Sequence, residues 1–143
     1  MRIVKLSKEV FGFDTIEACR AFFKHVIPFN KYYFGIAGEG NHIAKDGLKQ
    51  GEIIIFSYDA KIVSIALNER LVEEYDRVKE IKLSGDTLKV FDYDICLRKL
   101  EEDLKLRGYD KKIVGSQGWN IIEEQYEKNV IDYLISNEWK HYI

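Results

Sequence analysis

Two apolar runs joined by a two-residue turn, GEIIIFSY-DA-KIVSIALNE from Gly51 to Glu69, constrain this chain more than any other stretch. Runs rich in Ile and Val around a tight Asp59-Ala60 turn predict a β-hairpin. A hairpin with one wet face would alternate apolar and polar residues. These strands are apolar at nearly every position, so both faces must be covered. A small closed barrel meets that demand. With 143 residues the chain fits a single domain, residues 1–143, which buries roughly two-thirds of its unfolded surface. An apolar share of 46% and an aromatic share of 13% exclude a disordered or fibrous chain.

Helices are expected on either side of the hairpin. FDTIEACRAFFKHVIPF carries Asp14 as an N-cap and Glu17 three residues on, then Ile16, Cys19, Phe23, Val26 and Ile27 on one stripe. Pro28 is expected to stop this helix, because the residue before a proline avoids the helical region. KYYFGIAG reads as a strand, and YDRVKEIKL and LKVFDY as strands around a Ser84-Gly85-Asp86 turn. Leu97, Leu100 and Leu104 line one face of a helix closed by Gly108. A final helix buries Ile122, Tyr126, Val130, Tyr133 and Leu134. Trp139, Tyr142 and Ile143 form an apolar terminal cluster expected to dock on the first helix, with dimer contacts as the alternative.

Charge and cysteine content narrow the function. The formal charge of −2 neither points to nucleic acid nor forbids it, since a local basic face fits inside a neutral total. Cys19 and Cys96 lie far apart with no Cys/His metal spacing, so two buried thiols in a reducing cytosol are expected, with no metal or cofactor. The opening residues lack an apolar leader region, and no apolar run approaches the roughly 20 residues of a membrane span. The chain is therefore expected to be cytoplasmic, with no membrane partner.

Catalytic motifs are not visible. GIAGEG, Gly35 to Gly40, has the spacing G-x-x-G-x-G, which is neither the dinucleotide fingerprint nor a phosphate loop. His25, His42 and His141 are scattered, and the acidic pairs resemble solvated faces. A hydrolase or transferase would need His42 beside a buried carboxylate in an open cleft.

Binding fits better. GSQGWN sets Trp119 among Ser116, Gln117 and Asn120, a flat ring beside groups that can read the edge of a base. Stacking on such a ring contributes on the order of 1–3 kcal/mol per base. The alternative is that Trp119 fills the end of the barrel as a core residue. Tyr32, Tyr33, Phe34 and Tyr58 are further candidate walls, although Tyr33 cannot share a face with both neighbours. Lys45, Lys49, Arg77, Lys79, Lys111 and Lys112 are candidate phosphate contacts.

The order of these segments resembles the PUA-like superfamily, in particular its EVE branch. The resemblance rests on the Gly51-Glu52 opening of the hairpin, its strands Ile53 to Phe56 and Ile62 to Leu67, and Arg77-Val78 in the next strand. Ile121, Glu123, Glu124 and Tyr126 follow the glycine-flanked aromatic segment. It departs from that pattern at Ile122, at KYYFGIAG and in the extra N-terminal helix. The resemblance implies an α+β fold, a β-barrel of about five to six strands flanked by helices. It also implies a non-catalytic module that binds DNA or RNA, reading a modified or flipped-out base at the barrel mouth. Gly38, Asn41 and His42 would then face Tyr58 and the SQGWN turn, with Arg77 and Lys79 on phosphate. A small-molecule or protein-binding adaptor on the same barrel, or a homodimer, is the alternative.

Overall fold

The computed structural model describes residues 1–35, 48–74, 77–116 and 118–142; the side chains of residues 10, 74 and 77 fall outside that description. The chain is α+β. Its strands are β1 (Arg2–Leu6), β2 (Tyr33–Gly35), β3 (Ile53–Tyr58), β4 (Lys61–Glu74), β5 (Arg77–Leu83), β6 (Lys89–Val90) and β7 (Trp119–Ile121). They run in the order β2-β5-β4-β3-β1-β7, with β6 paired to Ser64 and Ile65 of β4.

The predicted hairpin forms as β3 and β4, with Asp59 and Ala60 both at positive φ (51° and 58°). Two left-handed residues in a row make the twisted turn that two-residue hairpins favour. β4 then runs on for 14 residues through the polar NERLVEE. Its first half pairs with β3 and its second half with β5, with shifts of register at Asn68/Arg70 and Val72/Glu73. Such bulges bend and twist a strand, so one continuous strand serves two parts of a curled sheet.

β1 is the strand the sequence does not announce. It lies parallel to β3, Val4 opposite Phe56, and antiparallel to β7, Val4 opposite Trp119. A short strand with two charges and a partner far along the chain carries no local turn signal.

Both faces of this sheet are covered, as the hairpin demands, but by helices rather than by closure. Alternation sends Val4, Leu6, Ile54, Phe56 and Tyr58 into one core, which includes Phe13, Cys19, Phe23 and Ile27 from the N-terminal helical segment. Met1, Ile3, Ile55 and Ile62 enter the other, against Leu97, Leu100 and Leu104 of helix Leu97–Leu106 and Tyr126, Val130 and Leu134 of helix Glu124–Tyr142. β2 and β7 end the sheet unpaired with each other among the described residues, so the sheet is not closed into a barrel.

The N-terminal helical segment departs from expectation at both ends. Thr15, not Asp14, is the N-cap, accepting from Ala18 N–H at 3.1 Å. Residues Phe22–Val26 form π-helical turns, and the helix continues across Pro28 to Phe29. Ile27 N–H reaches back five residues to Phe22 C=O. Pro28 then occupies the start of a fresh turn, where a missing N–H is tolerated. The terminal cluster is not docked on this segment: Trp139 and Tyr142 are exposed, while His141 stacks on Tyr93 at 4.2 Å. Ile143 lies outside the described residues. No helix among the described residues is long and apolar enough to cross a membrane.

Candidate functional site

Lys5 is the penultimate residue of β1 and sits opposite Ser57 of β3. It follows Ile3 on the face covered by the C-terminal helices, but at the end of the strand, where that cover gives way to a cleft of about 90 Å³. Lys5, Ser57, Asp59, Ala60, Val114 and Ser116 line it. The cleft thus sits where β1, the β3–β4 turn and the loop before β7 meet.

The Lys5 ammonium is held by neutral oxygens. Nζ donates to Ser116 Oγ at 2.6 Å and to Asn120 Oδ1. Each acceptor is fixed from behind. Ser116 Oγ donates to Ile113 C=O at 2.8 Å, so its lone pairs are left for Lys5. Asn120 Nδ2 donates to Lys112 C=O at 3.1 Å and to Tyr109 Oη at 3.3 Å, which turns its carbonyl toward Lys5. Glu101 accepts from Val114 N–H at 2.9 Å and from Ile113 N–H, tying the helix to the loop. Burial pulls the Lys5 pKa from an ordinary 10.5 down to about 8, and the charge of Glu101 works in the opposite direction. Lys112 extends its side chain past Gly115, a glycine at φ +82° on the lip of the cleft; a β-carbon there would lie 3.4 Å from Lys112 Nζ. A half-buried cation with neutral partners, and a second cation beside Gly115 at the lip, suit a small anionic group.

The residues expected to form a site are divided by the fold. Ser116 and Asn120 meet at Lys5. Trp119 does not join them: it is opposite Val4 and packs half-buried against the first core, while Asn120 is opposite Ile3 on the other face. Tyr58 borders the cleft, but its ring lies in the first core and its hydroxyl donates to Phe13 C=O at 2.6 Å. Phe34 is core, Tyr33 Oη accepts from Arg70, and Tyr32 leans on Gly85. Lys79 is exposed on β5, which β4 and β3 separate from β1. Arg77 opens that same strand with its side chain outside the described residues, and Gly38, Asn41, His42 and Gln117 also lie outside them. Lys5 is the residue that the sequence did not bring forward. RIVKL shows one lysine between Val4 and Leu6 of a short apolar stretch, a signal visible only once that stretch is known to be a strand.

Among the described residues, no group of three or more His, Cys, Asp or Glu side chains is placed to hold a metal ion. No protein-family model matches the chain, and no curated protein matches it.

Proposed function

We propose that this chain is a nucleic-acid-binding module of the PUA-like kind, with the Lys5 cleft rather than a Trp119 pocket as its contact with the strand. The observation that carries this reading is the Lys5 ammonium, held by Ser116 and Asn120 oxygens in an open cleft with Lys112 at its rim. Phosphate contacts dominate nucleic-acid affinity, and a cation already stripped of part of its water interacts more strongly with phosphate than one in bulk solvent. Few contacts of this sort are compatible with a formal charge of −2.

The test is anisotropy of labelled single- and double-stranded oligonucleotides at two salt concentrations, for the native protein and for Lys112→Glu. Saturable binding that salt weakens and that Lys112→Glu lowers about tenfold supports the reading. Absence of saturation up to about 10⁻⁴ M, the weak end of non-specific binding, overturns it.

A protein-binding adaptor is the second reading, and one feature favours it. Ile135, Trp139 and Tyr142 are 47%, 67% and 75% exposed and recur at helical spacing on the last helix. An apolar stripe of that kind on a helix fits a protein surface, a second copy included. Sedimentation of the native chain against Trp139→Glu separates self-association from a monomer.

A further inference from the structure

We propose that Lys5 forms a reversible imine with an aldehyde that carries an anionic group, Lys112 holding the anion while the Lys5 amine attacks the carbonyl carbon.

The geometry selects the amine, not Ser116, as the nucleophile. An unprotonated amine has two N–H bonds, and two acceptors are in place for them, Ser116 Oγ and Asn120 Oδ1. The Ser116 hydroxyl accepts from Lys5 and has acceptors of its own, Ile113 C=O at 2.8 Å and Asn120 Oδ1 at 3.4 Å, so Lys5 is not set to take its proton. Nζ has one more tetrahedral position, for its lone pair, and Lys5 lines the cleft. The lone pair of a lysine so held is free for an electrophile in that space. The cleft of about 90 Å³ is sized for a few non-hydrogen atoms, which suits a two- or three-carbon fragment.

The step balances without an oxidant or a reductant. The nitrogen lone pair forms a C–N bond as the C=O π pair moves to oxygen; a proton passes from nitrogen to that oxygen, giving a carbinolamine. Loss of water then leaves C=N, and hydrolysis reverses it. Of the charged groups, Glu101 from the helix Leu97–Leu106 acts on Nζ, Asp59 from the β3–β4 turn lines the same cleft, and Lys112 from the loop beyond the helix lies beside Gly115 at its lip. Glu101 favours the protonated imine. Burial of Lys5 raises its unprotonated fraction at neutral pH on the order of 10²-fold above that of an exposed lysine.

This inference does not rest on nucleic-acid binding, since a free aldehyde acid and a base-free sugar in a strand offer the same chemistry. The experiment has an arm for each. The native protein is mixed at pH 7 with glyoxylate, or with an oligonucleotide holding one base-free site, and reduced with cyanoborohydride. Adducts are then mapped by peptide mass spectrometry. Lys5 is expected to be modified at least tenfold faster than exposed Lys99 or Lys105, and Lys5→Arg to lose that fast phase. A fast phase with glyoxylate identifies a small-molecule ligand; one with the oligonucleotide alone identifies a strand. Modification spread over the exposed lysines, with Lys5 no faster in either arm, overturns the proposal. That comparison is internal to the native chain, so it holds even where Lys5→Arg fails to fold.

Discussion

Trp119 and Asn120 are neighbours in sequence and stand on opposite faces of the sheet, Trp119 across from Val4 and Asn120 across from Ile3. One contributes to a core and the other fixes a lysine. The strand period of two makes this separation unavoidable once residues 119–121 are a strand rather than a turn. Replacing them therefore has different consequences. Trp119→Ala is expected to cost about 2–3 kcal/mol in chemical denaturation, below the cost of removing a fully buried aromatic residue because the ring is only half-buried. Its oligonucleotide affinity, measured under native conditions, is expected to change less than twofold. A tenfold loss of affinity with unchanged stability would restore the ring to the binding surface.

How much of this was legible follows from where each signal resides. The hairpin, both C-terminal helices and the two-sided burial follow from short-range pattern, because Ile53 to Phe56 and Leu97 to Leu104 carry their partners' requirements in their own spacing. What covers the second face does not: helix and barrel closure satisfy the same apolar run equally well. Lys5 was hidden for a similar reason. Its acceptors, Ser116 and Asn120, lie more than a hundred residues away and meet it only because β1 pairs with both β3 and β7. Pro28 misled because the helix rule assumes α geometry, and π-turns precede it.

Lys5 also makes stability depend on pH. Its folded pKa is about 8 against an ordinary 10.5, so between those values the unfolded chain binds more protons than the folded one. Stability from this group therefore rises with pH across that window, and the full penalty of burying the ammonium is present below it. Lys5→Met is expected to flatten the slope between about pH 8 and 10 in urea melts. An unchanged slope in the variant would show that another group supplies it.

The two thiols differ, against the expectation of two buried ones. Cys19 is wholly buried, and burial pushes its pKa up to about 12, the positive charge of Arg20 acting in the other direction. Cys96 is half-buried at the start of the helix Leu97–Leu106. Thiolate is the reactive form, so the native protein is expected to react with Ellman's reagent at Cys96 and to release Cys19 only on unfolding. Two equally fast thiols in the native protein would contradict the packing of Cys19 against the sheet.

Gly85 and Tyr32 hold the far end of the fold together. A β-carbon on Gly85 would lie 2.7 Å from Tyr32 Cζ, closer than atoms pack. Tyr32 is itself in the left-handed region at φ 68°, directly after Lys31 at 58°, and its C=O accepts from Leu83 N–H at 2.8 Å. Its backbone is therefore pinned, and its half-buried ring packs against the first core, so retreating from a new β-carbon disturbs that packing. A glycine outside the left-handed region ordinarily gains about 0.4–1 kcal/mol on replacement by alanine, through a less flexible unfolded chain. Here Gly85→Ala is expected to lose about 1–2 kcal/mol, as overpacking does. The loss should vanish when Tyr32→Ala is already present, because the obstructing ring is gone. A double-mutant cycle measures that coupling directly. Equal costs in both backgrounds would place the strain in the Ser84–Asp86 turn itself rather than under the Tyr32 ring.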